Sequence, residues 1–69
     1  MHRIRSRNLN RGVLIKKLLK AGCILKRHGI RHDIYINTDN GKQALMPRHP
    51  DVRESLIKLI KKQLDVGVI

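Results

Sequence analysis

The sequence predicts an α+β fold in which one helix is followed by three antiparallel strands and a second helix. Apolar residues recur with helical spacing near both ends of the chain. The segment between them contains runs of alternating apolar and polar residues that are separated by turn residues. A chain of 69 residues is long enough for one small domain with a thin core.

The first helix is predicted from about Arg11 to Ala21. Asn10 is a favourable N-cap residue, and Gly22 suits the position just after a helix, where the backbone often becomes left-handed. The apolar stripe of this helix consists of Leu14, Ile15, Leu18, Leu19 and Ala21.

Three short strands are predicted in the middle of the chain, at residues 23–26, 32–36 and 42–46. A turn at residues 27–31 joins the first two, and a hairpin ending in Asn-Gly joins the last two. The third strand ends at Pro47, which has no amide proton for pairing.

Alternation in the second strand assigns its side chains to two faces. His32, Ile34 and Ile36 share one face, and Asp33 and Tyr35 share the other. The face of Ile34 is the more apolar, so we expect the helices to cover it. Asp33 and Tyr35 are then expected on the open face. Asp33 could orient a catalytic histidine, but it points away from His32, so a surface role is favoured.

The second helix is predicted from about Asp51 to Leu64, because Asp51 and Glu54 have the spacing of a capping box. Its apolar stripe consists of Leu56, Leu59, Ile60 and Leu64. Each helix has a single stripe, so both should lie on one face of the three-stranded antiparallel sheet. This α-β-β-β-α layout is that of a double-stranded-RNA-binding-like fold.

Charge makes nucleic acid the leading partner class. Sixteen Lys and Arg residues against five Asp and Glu give a formal net charge of +11. Such a field attracts polyanions, ahead of an acidic protein or an anionic membrane surface. Tyr35 is the sole aromatic residue, which argues against base stacking on aromatic side chains. Residues 1–10 are basic and polar, and we expect a flexible arm there before a single domain at residues 11–69.

The sequence predicts neither a metal site nor another cofactor. Cys23 is the single cysteine, so no intrachain disulfide can form, and no four ligands have the spacing of a zinc site. Cys23 is expected to be a buried thiol in a reducing compartment. No apolar run is long enough for a membrane span or a signal peptide, so we expect a cytoplasmic protein.

His32 is the candidate catalytic residue, because histidine transfers protons well near neutral pH and His32 follows a cationic turn. A phosphodiester is the natural substrate for so basic a protein. The alternative is a buried histidine at the core edge, since His32 shares its face with Ile34. His49 could be a second acid or base, but its place between two prolines favours a structural or phosphate-contacting role. His28 is expected to be a solvated turn residue.

The chain resembles the HicA toxins, the small ribonuclease (mRNA interferase) components of bacterial type II toxin–antitoxin systems. The matching segments are residues 18–22 (LLKAG), 29–35 (GIRHDIY), 46–49 (MPRH) and 55–60 (SLIKLI). Together they span roughly Val13 to Leu64. The resemblance implies a catalytic role for His32, cleavage of messenger RNA without a bound metal, and inhibition by a HicB antitoxin.

The remaining site residues are predicted from their places in the expected fold. Four cations near His32 are candidates for binding the RNA phosphate: Arg27, Arg31, Lys42 and Arg48. Tyr35 and Leu45 are candidates for an antitoxin interface on the open sheet face. Two alternatives stay open, namely a non-catalytic RNA-binding module and an inactive toxin relic that only binds an antitoxin.

Overall fold

The computed structural model describes residues 8–67 and confirms the predicted α+β fold. The elements in chain order are β1 (Leu9–Asn10), α1 (Arg11–Lys20), β2 (Cys23–His28), β3 (Asp33–Asn37), β4 (Gln43–Met46), β5 (Asp51–Val52) and α2 (Glu54–Leu64). Strands β2, β3 and β4 form a three-stranded antiparallel sheet in that order, and a second, two-stranded sheet pairs β1 with β5. Among residues 8–67, neither helix is long and apolar enough to cross a bilayer.

Helix α1 has the boundaries that local sequence signals predicted. The side chain of Asn10 accepts a hydrogen bond from the backbone amide of Gly12 at 2.8 Å, which caps the first turn. Gly22 follows the helix with φ of +90°, a conformation that glycine adopts without strain. Both signals lie within a few residues of the helix end that they define.

The predicted start of the second helix is wrong. Asp51 and Val52 form β5, which pairs antiparallel with Leu9 and Asn10, and α2 begins only at Glu54. Residues 9 and 10 of the predicted arm are therefore a strand, while its residues 1–7 lie outside the described residues. A strand of two residues is too short to show an alternating pattern in the sequence, and this pairing joins segments that are far apart in the chain. Local signals therefore do not predict it.

The helices cover the face of the sheet opposite to the predicted one. Asp33, Tyr35 and Asn37 are buried, whereas Ile34 and Ile36 are only partly buried on the other face. The polar groups on the covered face have partners; Asn37, for example, donates from Nδ2 to the carbonyl of Leu64 at 2.8 Å. The core consists of Leu14, Leu18, Cys23, Tyr35, Ala44, Met46, Val52, Ile57, Ile60 and Leu64.

Candidate active site

His32 lies in an open cleft of about 350 Å³ at one end of the three-stranded sheet. The cleft is lined by Arg31, His32, Pro47, Arg48 and His49. The register explains this grouping, because Asp33 of β3 faces Met46 of β4 and the residues beyond them leave the sheet side by side. His32 is exposed, so the alternative of a buried histidine is wrong.

The turn before His32 is closed by its own backbone. The amide of Gly29 donates a hydrogen bond to the carbonyl of His32 at 2.8 Å. A Cβ atom added at Gly29 would lie 2.5 Å from that carbonyl oxygen, closer than real Cβ contacts allow. Glycine at this position therefore permits the close approach that sets the backbone at His32.

We expect Gly29→Ala to lower the Tm by about 5 °C, because the added methyl group must push the His32 carbonyl away. Thermal unfolding followed by circular dichroism measures this. Gly67→Ala is the matched control, since an added Cβ there meets no atom within 4 Å and Gly67 has no positive φ. Equal Tm values for the two variants would contradict a close-packed turn.

The buried carboxylate of Asp33 adjoins the cleft and binds three side chains, those of Arg11, His28 and Arg48. We call these four residues the Asp33 cluster. Oδ1 of Asp33 accepts hydrogen bonds from His28 Nδ1 at 2.8 Å and from Arg48 Nε and Nη2 at 3.1 and 3.0 Å. Oδ2 pairs with Arg11 Nη2 at 2.5 Å. The surface role predicted for Asp33 is wrong.

These contacts determine the charge state of Asp33. The hydrogen bond from His28, followed by those from Arg48, holds the pKa of the Asp33 carboxyl below its ordinary value. Burial acts in the opposite direction but is outweighed. Asp33 is therefore an ionised anchor for the surrounding cations at neutral pH.

The Asp33 cluster connects the two segments that line the cleft, which are the turn ending at His32 and residues 47–49. Arg48 donates from Nη2 to the carbonyl of Gly29 at 2.6 Å and from Nη1 to that of Ile30 at 3.3 Å, so it binds the turn that carries His32. Arg11 donates from Nε to the carbonyl of Pro47 at 2.7 Å and so binds the other segment. Sequence reasoning missed Arg11, because the need for a partner appears only once Asp33 is known to be buried.

The structure brings two of the four predicted phosphate-binding cations to His32. Arg31 and Arg48 line the cleft. Arg27 is exposed on β2, where it faces Ile34 after a register shift. Lys42 lies beyond the opposite end of β3, about 13 Å along the strand, and its Nζ is 3.7 Å from Asp65 Oδ2.

The sheet face away from the helices is apolar in its centre, and we call it the open sheet face (Ile24, Ile34, Ile36 and Leu45). Ile24 faces Ile36 and Ile34 faces Leu45 across the strands, and such pairs point to the same side. Leu45 is 52% exposed, as predicted, although it lies on the face of Ile34, which was expected to be covered. The predicted exposure of Tyr35 is wrong, because Tyr35 is 5% exposed and belongs to the core.

The single thiol lies apart from the cleft. Cys23 is fully buried in the core, as predicted, and burial raises the pKa of its thiol. Within residues 8–67, no three His, Cys, Asp or Glu side chains are grouped in a way that could hold a metal ion.

Comparison with known proteins identifies the family. A family model described as the HicA toxin of bacterial toxin–antitoxin matches residues 13–66, which include the three-stranded sheet, α2 and the whole cleft. No curated protein and no solved structure matches the chain. A toxin of such a system has an antitoxin as its partner. The chain therefore belongs to the HicA toxin family of bacterial toxin–antitoxin systems.

Proposed function

We propose that this toxin is a metal-independent endoribonuclease that cleaves messenger RNA, with His32 as the general base. The observation that carries the proposal is the exposed His32 in a cleft whose walls also present Arg31 and Arg48. RNA contains its own nucleophile, the ribose 2′-hydroxyl. A base and a few positioned cations are therefore sufficient for cleavage, without a metal-activated water.

In this mechanism His32 accepts the proton of the 2′-hydroxyl, the 2′-oxygen bonds to phosphorus, and the bond to the 5′-oxygen breaks. Arg31 is the cation best placed to bind the phosphate, because none of the salt bridges among residues 8–67 involves it. Arg48 mainly holds the turn in place through Asp33 and the turn carbonyls. Arg27 and Lys42 contribute to the general positive field that attracts RNA.

The end groups of the products test this mechanism. In EDTA, the purified toxin should produce fragments with 2′,3′-cyclic phosphate and 5′-hydroxyl ends, which mass spectrometry distinguishes. An oligonucleotide with 2′-deoxyribose at the cleaved position should resist cleavage, because it lacks the nucleophile. Products with 5′-phosphates would overturn the mechanism. RNA binding without any cleavage would instead support the non-catalytic module, whose fold and charge this chain shares.

We also propose that a HicB-type antitoxin binds the open sheet face. The toxin–antitoxin family supplies the requirement for a partner, and the open sheet face supplies a contiguous apolar surface. Leu45 and Ile24 are 52% and 46% exposed there, so a partner would remove considerable apolar area from water.

Leu45→Glu should weaken the complex with the antitoxin by about 10- to 100-fold, because it places a charge in the apolar centre of the interface. RNA cleavage by the free toxin should not change. Leu19→Glu is the matched control, since Leu19 is 51% exposed but lies on α1. Isothermal titration calorimetry measures both affinities, and equal weakening by the two variants would place the interface elsewhere.

A further inference from the structure

We propose that His49 is the general acid of the reaction and donates a proton to the 5′-oxygen of the leaving nucleotide. This inference rests on the proposed ribonuclease function and deepens it. The sequence favoured a structural or phosphate-contacting role for His49, because it lies between Pro47 and Pro50. The structure instead places its side chain in the cleft that also holds His32.

The two histidines belong to separate segments that line this cleft. His32 ends the turn before β3, and His49 lies on the segment that leaves β4. Both residues are exposed, so both imidazoles are accessible to a substrate. Pro47 and Pro50 flank Arg48 and His49 and restrict the backbone there, which limits how far His49 can move.

His49 also borders a second cavity of about 460 Å³, which His32 does not line. Its other lining residues are Pro47, Pro50, Asp51, Arg53 and Leu56. The apolar lining can contact a nucleoside, and the positive charge of Arg53 attracts phosphate. His49 therefore lines both the cleft that holds His32 and a neighbouring cavity that can receive the next nucleotide.

This placement agrees with the geometry of the displacement. The attacking 2′-oxygen and the departing 5′-oxygen lie on opposite sides of phosphorus, so the base and the acid act at different positions, and two histidines on separate segments can supply them. When the 2′-oxygen bonds to phosphorus, the electron pair of the broken bond goes to the 5′-oxygen, which takes a proton from the His49 imidazolium. The cycle leaves His32 protonated and His49 neutral, and proton exchange with water restores both.

Replacing the leaving 5′-oxygen with sulfur tests the role directly, because a thiolate departs without protonation. His49→Gln should cut ordinary RNA about 10²- to 10³-fold more slowly than wild type, yet cut RNA with a 5′-bridging sulfur at nearly the wild-type rate. His32→Gln should be slow on both substrates, because each requires removal of the 2′-proton. Circular dichroism and RNA-binding measurements confirm that the variants are folded.

The pH profile gives a second readout. Wild-type kcat/KM should fall on both sides of an optimum, since one histidine must be neutral and the other protonated. His49→Gln should lose the fall on the alkaline side. The charged and titratable groups around His49 are Arg31, His32 and Arg48 on the cleft side, and Asp51 and Arg53 on the other.

Two outcomes would overturn the role of His49 while the proposed function stands. One is an unchanged rate for His49→Gln on ordinary RNA. The other is an equal loss on the oxygen and sulfur substrates, which would indicate binding or positioning. Wild-type cutting by His32→Gln would contradict the proposed function itself and is thus distinguishable.

Discussion

His32→Ala should slow RNA cleavage by about 10²- to 10⁴-fold, which is the usual contribution of one general base. The fold should not change, because His32 is exposed and lies at the edge of the cleft rather than in the core. RNA affinity should also stay near the wild-type value, since it depends on the +11 charge of the whole chain. Loss of cutting with retained binding is thus the expected signature.

The measurement uses purified proteins in EDTA with a labelled RNA, followed by gel analysis for cutting and fluorescence anisotropy for binding. Ile30→Ala is the matched control, because Ile30 is 96% exposed and belongs to the same turn. That control should cut like wild type. Equal cutting by His32→Ala and wild type would assign the activity to another residue or to a contaminant.

Local signals in the sequence were sufficient to predict most elements but not how they pair. The cap at Asn10 and the glycine at position 22 act within a few residues, so α1 could be predicted closely. The pairing of β1 with β5 joins Leu9 to Val52, and nothing local to either residue indicates it. The true start of α2 follows from that pairing, which is why the capping-box interpretation of Asp51 was wrong.

The covered face of the sheet was mispredicted for a similar reason. Ile34 and Ile36 made their face look like the core, because Asp33 and Asn37 carry polar groups on the other side. Burial of Asp33 becomes favourable only through Arg11, His28 and Arg48, whose approach the sequence does not reveal. The placement of His49 in the cleft also depends on the sheet register. His32, in contrast, could be chosen as the candidate catalytic residue from the cationic turn before it.

Asp33→Asn should lower the Tm by about 10 °C and slow RNA cleavage by about 10²-fold, although Asp33 is not a catalytic residue. The neutral amide leaves the guanidinium groups of Arg11 and Arg48 without their counter-charge, and the side chain of Arg11 is partly buried. Arg48 then holds the carbonyls of Gly29 and Ile30 less firmly, so the turn that positions His32 loosens. Asp39→Asn is the matched control, because it removes the same charge from an exposed hairpin residue.

The pH dependence of stability separates this role from a general effect of charge. The pKa of Asp33 is lowered in the folded state, so its ionised form contributes stability that is fully present above about pH 4. That stability is lost as the pH falls further, through the lowered folded pKa. Wild type and Asp39→Asn should therefore show a steep decrease in Tm below about pH 4, and Asp33→Asn should show a shallower one. Parallel Tm curves for all three proteins would mean that Asp33 does not anchor the cleft.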